Sequence, residues 1–293
     1  MAENSAPVAG RIDHASLRAI AALVLAVGAP WIIIAYAGQI DTGLAALSGR
    51  ADGSAGSWLD AAITALIMLL AIAGSLILRQ PIRAGRDAAL VFAALPVGIV
   101  APAVAIGLAT AAGATVAMDG RIAGFGLFLA GSLLIVAKAL GEEMLFRGLL
   151  QPLLCRAWGV PIGIALASLA FTAIHVIGGW SDPVSLLNIT LAGGWFGLLA
   201  WRTGGILAPT LAHAGYNWAE EMLLGASPNP GTGSFGALFD VDLIGPMRLG
   251  GSPDGLNASL LLTAVLATII LPLVLRRPFA AVAPAKQQQG QNS

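Results

Sequence analysis

Long apolar runs separated by short polar breaks dominate this chain. A hydrocarbon core about 30 Å thick needs roughly 20 apolar residues per helical crossing. On that length the runs predict eight helices, at about 16 to 37, 59 to 78, 88 to 112, 123 to 141 or beyond, 160 to 179, 184 to 201, 205 to 223 and 257 to 275. The expected architecture is therefore all-α, a polytopic membrane helix bundle. The first run follows the polar stretch MAENSAPVAGRIDHAS and is itself of spanning length, with no clean small-residue cleavage site after it. It reads as a retained first helix rather than a signal peptide.

Composition agrees with the pattern. The 293 residues are 57% hydrophobic and 10% charged, and the mean hydropathy is +0.85, outside the range of soluble domains. Fifteen basic and fifteen acidic residues cancel, which leaves no basic surface to suggest nucleic acid. With an even number of spans both termini share one side. Arg11, Arg18, Arg79, Arg83, Arg86, Arg156, Arg202, Arg276, Arg277 and Lys286 gather there, against Arg50, Arg121 and Arg248 on the other. The positive-inside rule makes that side, and both termini, cytoplasmic. Trp58, Trp158, Trp180 and Trp201 fall near span ends, as interfacial indoles do. The single cysteine, Cys155, excludes an intrachain disulfide. Residues 225 to 256 are dense in Gly, Pro and Asp and are expected to form a non-helical tether rather than a lid. The polar tail after Arg277 is expected to be disordered.

Ionisable groups within spans cost at least about 2.5 to 3.5 kcal/mol each on insertion scales, so they mark function more often than not. The fourth span carries Lys138, Glu142, Glu143 and Arg147, the fifth carries His175, and the seventh carries His213 and Asn217. Glu143 and Arg147 are four apart and share a helix face, which Gln151 extends by one turn. Glu142 lies about 100° away on another face. Arg147 is thus expected to neutralise Glu143 and to leave Glu142 facing a cavity. Lys138, four residues before Glu142, is expected to pair with it or to snorkel toward a water-filled vestibule. Glu220 and Glu221 are expected at the outer interface, unburied and without a role. Phe171 and His175 share one face, and His213 and Asn217 another. A carboxylate, two imidazoles and a carboxamide suit hydrolysis: Glu142 as general base and then acid on a water held with His175, His213 and Asn217 as donors to an oxyanion. The same Glu142, His175 and His213 could instead hold a divalent metal such as zinc, with an open position for water.

The segments EEMLFR, FTAIH and HAGYN resemble the EExxxR, FxxxH and HxxxN signatures of the CAAX prenyl protease and bacteriocin-processing (CPBP) family, the intramembrane proteases that include the type II CAAX prenyl endopeptidases. All three motifs are complete, in order, and on three separate spans. The resemblance implies an eight-helix bundle with a water-accessible cavity. It also implies Glu142 as the catalytic base, His175 as its partner on the water, an oxyanion site at His213 and Asn217, and Glu143 with Arg147 as support. Members of the family are also called metalloproteases. The chain then divides into a polar segment at 1–15, three helices in 16–121, a five-helix protease core in 122–275 and the tail at 276–293. The implied protein is a multi-pass enzyme of a bacterial plasma membrane, acting on a peptide or protein that enters from the bilayer or the cytoplasmic side.

Two other classes fit parts of the sequence. One is a non-enzymatic membrane scaffold or bacteriocin self-immunity protein that keeps the motifs for stability. The other is a proton-coupled transporter, disfavoured because the polar groups cluster in one half of the chain. The spans also set a geometric condition. Glu142 falls near the cytoplasmic end of its helix and His175 near the outer end of the next. They can meet only if the fourth helix exceeds the bilayer thickness, running on through MLFRGLLQPLLCRAW, and sits displaced or tilted, with the fifth helix starting deeper.

Overall fold

The computed structural model describes residues 13–48, 54–118, 124–228 and 235–276. Helices α1 (His14–Ser48), α2 (Ser54–Ile77) and α3 (Ala88–Ala111) precede a short strand, β1 (Thr115–Met118). Helix α4 (Phe125–Glu143) continues without a break through a π-helical turn, Met144–Leu150, into α5 (Gln151–Trp158). Helices α6 (Val160–Ile177), α7 (Pro183–Thr203) and α8 (Leu207–Trp218) follow. A second π-helical turn, Ala219–Leu223, extends α8, and α9 (Leu260–Leu275) closes the bundle.

Among the described residues, six helices are long and apolar enough to cross a membrane: His14–Tyr36, Leu59–Ile77, Ala88–Ala111, Phe125–Trp158, Val160–Ile177 and Pro183–Thr203. The protein is a multi-pass, all-α integral membrane protein. The other two expected spans correspond to α8 with its π turn and to α9, both shorter. The fourth helix has the extra length that the sequence demanded. It spans 34 residues, about 50 Å at 1.5 Å per residue, and Glu142 falls near its middle. The N-terminal residues 1–12 and the tail 277–293 lie outside the described residues, and with them the expected tail disorder.

Small residues set the helix spacing. A methyl group at Gly98 of α3 would lie 2.3 Å from the Ala212 carbonyl oxygen of α8, and one at Gly215 of α8 would lie 2.8 Å from the Leu95 carbonyl oxygen. The two backbones therefore touch, as small residues allow between membrane helices, and α3 positions the helix that carries His213. At the other end of the bundle Gly159, with φ +87°, turns the chain from α5 into α6. There Gly163 packs directly on Cys155, where a methyl group would meet the Cys155 backbone nitrogen at 2.5 Å.

The 225–256 segment corrects the sequence expectation of a tether. Strand β3 (Asp240–Leu243) lies between β1, antiparallel with Thr115 opposite Leu243, and β2 (Ala226–Ser227), parallel to it. Phe235, Leu243 and Leu256 are buried. Alternating apolar residues at Val241 and Leu243 pair with a strand more than 100 residues earlier, a long-range constraint that local Gly and Pro content conceals. Asp182 joins this cap to the bundle. Its carboxylate caps α7 by accepting from the Val184 and Ser185 amides at 2.8 and 3.2 Å, and it accepts from Arg248 at 2.8 and 3.0 Å. Burial pushes the Asp182 carboxyl up, but the hydrogen bonds from Arg248, Ser185 and Val184 together hold it below the usual carboxylate range.

Two outcomes follow. Gly98→Ala should overpack the α3–α8 crossing and cost about 1–3 kcal/mol, read as a lower melting temperature in detergent; an unchanged melting temperature would mean that the crossing is loose. Asp182→Ala should lose a cap worth about 0.5–2 kcal/mol and raise hydrogen exchange across residues 240–258. Because its folded pKa is depressed, the contribution of Asp182 is intact above the ordinary carboxylate pKa of about 3.9 and is lost as pH falls through the lower folded value. Protection of these amides in wild type, corrected for the intrinsic exchange rate, should therefore fall only below about pH 4, and a fall already near pH 6 would contradict the clasp.

Candidate active site

The centre of the long fourth helix is polar and largely buried. Glu143 is fully buried and Arg147 is 3% exposed. The guanidinium donates from Nη1 to Glu143 Oε1 at 2.9 Å and from Nη2 to the Gly193 carbonyl at 3.1 Å. The rings of Phe171, Phe196 and Phe146 surround it, with centroids 4.5, 5.5 and 5.8 Å from its central carbon. The charge is thus held by a carboxylate, a carbonyl and π faces, the combination that makes a buried cation tolerable. Gly193 and Gly197 of α7 make room for it. A methyl group at Gly193 would stand 3.5 Å from Arg147 Nη2, and one at Gly197 would stand 2.8 Å from Gln151 Oε1. Gln151 in turn donates to the Gly197 carbonyl at 2.9 Å.

Glu143 has a second partner, which helical phase on one helix could not reveal. His213 Nδ1 lies 2.9 Å from Glu143 Oε1. The His213 ring stacks on Phe196, with centroids 4.7 Å apart and planes at 17°, and meets Phe171 edge-on at 5.9 Å. With its Nδ1–H directed at Glu143, the ring turns Nε2 toward Glu142, whose Oε2 is 4.0 Å away. His175 places Nδ1 2.8 Å from the Phe171 carbonyl. A carbonyl only accepts, so Nδ1 carries the proton and the neutral ring offers its Nε2 lone pair. Glu142 also acts electrostatically on His175. The three helices that carry the three motifs therefore do converge.

A cavity of about 270 Å³ lies at this junction. Glu142, His175, His213 and Asn217 line it, together with residues the sequence reading did not assign to the site: Tyr216, Asn188 and Asn257, and Trp180, read there only as an interfacial indole. Glu142 Oε2 and the Tyr216 hydroxyl are buried with no hydrogen-bond partner among the described residues. The signal for Tyr216 was available, since it directly precedes Asn217 in HAGYN. Asn188 is 1% exposed; it donates to the Asn257 and Ser259 carbonyls at 2.8 and 2.9 Å and accepts from Thr263 at 2.7 Å. It fixes the wall where the folded cap meets α7.

Two expectations are corrected. Lys138 does not pair with Glu142: it lies 3.9 Å from Asp60 of α2, a residue whose helix neighbours gave no hint of a distant cation, and it lines the same cavity as Glu142, in keeping with the vestibule alternative. Glu220 is buried, at 5% exposed, and lines the cavity with Glu221. The π-helical turn Ala219–Leu223 rotates this pair away from the phase of a regular helix. A π-helical turn also follows Glu142 and Glu143, so both double-glutamate sequences sit beside an irregularity that sequence periodicity does not register. As for a metal, no group of three His, Cys, Asp or Glu side chains suited to holding one occurs among the described residues.

Residues 124–219 match the family model described as type II CAAX prenyl endopeptidase Rce1-like, consistent with the CPBP family. The matched segment contains all three motifs and supports an intramembrane protease-type function acting on a protein or peptide. No curated protein and no solved structure gives a significant match.

Removing one partner of a buried ion pair typically costs about 3–5 kcal/mol. Arg147→Ala should accordingly lower the melting temperature more than Lys138→Ala, whose ion pair is about one-third exposed. Equal shifts in the two variants would contradict the structural weight given to Arg147.

Proposed function

We propose that the chain bearing this prenyl endopeptidase-like segment is an intramembrane endopeptidase in which Glu142 activates water directly. One observation carries the reading: a carboxylate oxygen with no hydrogen-bond partner among the described residues, on the wall of a cavity, next to two histidines whose other nitrogens are already committed.

The protein groups suffice to write the reaction. A water in the cavity donates one hydrogen to Glu142 and the other to His175 Nε2, leaving a lone pair free to attack a peptide carbonyl. Glu142 takes the proton as the C–O bond forms. The carbonyl oxygen becomes an oxyanion, toward which the amide of Asn217 and the hydroxyl of Tyr216 act as neutral donors from the cavity wall. His213 donates at Nε2 only when its ring carries both protons, and Glu143 is the counter-ion for that form. Glu142 then returns its proton to the leaving amine as the C–N bond breaks. Glu143 and Arg147 are positioning residues, since they hold the ring of His213 and meet no substrate. The core of the enzyme is the 122–275 region, the setting is a bacterial plasma membrane, and the peptide reaches the cavity from the bilayer or the cytoplasmic side.

General-base catalysis contributes about 10²–10⁴-fold and an oxyanion donor about 10²–10³-fold. Membrane proteomes from cells carrying wild-type protein or Glu142→Gln should differ by a set of cleavage products absent from the variant, with Asn217→Ala giving the same set at reduced yield. Identical proteomes, with both proteins present at equal levels, would favour the scaffold reading.

A further inference from the structure

A second and larger cavity, of about 610 Å³, opens where the loops after α2, α5 and α7 meet. Five arginines line it: Arg147, already paired with Glu143, and a group of four, Arg18, Arg79, Arg83 and Arg156. None of the four has a carboxylate partner among the described residues, and Arg156 senses the like charges of Arg18 and Arg83. Four uncompensated cations around one cavity repel one another, so the arrangement suits an anion.

The cluster is built rather than incidental. Arg18 donates to the carbonyls of Leu78 and, at 3.4 Å, of Arg79, while Arg156 donates to the Gln80 side chain. Arg79 adopts φ +46°, the one non-glycine residue with positive φ among the described residues; such conformations persist where the surroundings impose them. Backbone bonds from Ile206 and Leu207 to the carbonyls of Arg83 and Ala84, and from Arg86 to that of Thr203, at 2.8–2.9 Å, fix the loop that bears Arg83. At the inner end stands Gln151, 3% exposed, with its Oε1 buried and unpartnered. An acceptor there complements a hydroxyl or ammonium group next to the anion. The flanks are apolar: Leu17, Leu76 and Ile77 are 48%, 74% and 75% exposed, next to Arg18 and Arg79 in the sequence. A phosphate bearing acyl chains satisfies all three features at once, the cations, the inner acceptor and the apolar flanks. Basic pockets between membrane helices on the positively charged side are where anionic headgroups are held.

We propose that this cavity binds the phosphate of an anionic phospholipid, with the headgroup toward Gln151 and the acyl chains along the exposed faces of α1 and α2. This cavity shares no lining residue with the proposed catalytic one, although Arg147, on its wall, also holds Glu143 beside that site; the proposal does not depend on the protease reading.

Native mass spectrometry of the delipidated, detergent-purified full chain, titrated with phosphatidylglycerol or phosphatidylcholine, tests it. Phosphatidylglycerol should bind with at least about tenfold higher occupancy at equal concentration, the scale expected when several charge-assisted contacts form. Arg18→Gln/Arg83→Gln/Arg156→Gln should reduce that preference to the level of phosphatidylcholine. Arg83→Gln alone, which removes no hydrogen bond made by the side chain, should weaken it several-fold with an unchanged melting temperature, which separates loss of binding from misfolding. Inorganic phosphate at millimolar concentration should not displace the lipid; displacement would assign the site to a free phosphate rather than a lipid. Equal occupancy by the two lipids in wild type, or a preference that survives the triple substitution, would overturn the proposal.

Discussion

A single buried ion pair, Glu143 with Arg147, determines where the other polar groups can sit. Enclosed in the bundle, the guanidinium needs every partner it has: one carboxylate oxygen, the bare carbonyl of Gly193 and three phenylalanine faces. Those partners come from α4, α6 and α7, so satisfying one charge draws three helices to one point. The fourth participant is His213 of α8, bound to the same carboxylate oxygen. The helices that hold the motifs converge because an unpaired charge in a membrane interior costs more than the order imposed on its partners.

This constraint separates the two adjacent glutamates. Glu143 is consumed by structure, and Glu142, one residue earlier, keeps an unpartnered oxygen on the cavity wall. Phe171 ties the halves together: it lies against the Arg147 guanidinium and against both histidine rings, and its carbonyl fixes the tautomer of His175. Glycines act at a longer reach. Gly98 and Gly215 bring α3 against α8, while Gly193 and Gly197 expose the α7 backbone to Arg147 and Gln151.

Much of this was legible in the sequence because the relevant signals are local. Apolar run lengths predicted the helices, and the i to i+4 spacing predicted the Glu143–Arg147 contact. The requirement that Glu142 reach a histidine predicted a fourth helix running on past Gly141. What stayed hidden depends on tertiary packing or on departures from the regular helix. The His213–Glu143 bond joins residues 70 apart. Lys138 found Asp60 because α2 packs beside α4, and nothing around either residue announces that neighbour. Glu220 turned inward at a π-helical turn, where a 100° phase no longer applies. The 225–256 segment read as a tether because its strand β3 pairs with β1, outside any local window.

The central claim is that Glu143 is structural and Glu142 chemical, and it is tested most directly by the melting temperatures of Glu142→Gln and Glu143→Gln in the same detergent. Neutralising Glu143 leaves Arg147 buried without its counter-ion, so the account predicts a drop on the order of 10 °C, from a loss of about 3–5 kcal/mol. For Glu142→Gln it predicts a melting temperature within about 1 °C of wild type, as a substitution that breaks no bond should give. Equal drops in the two variants, or the larger drop in Glu142→Gln, would contradict it.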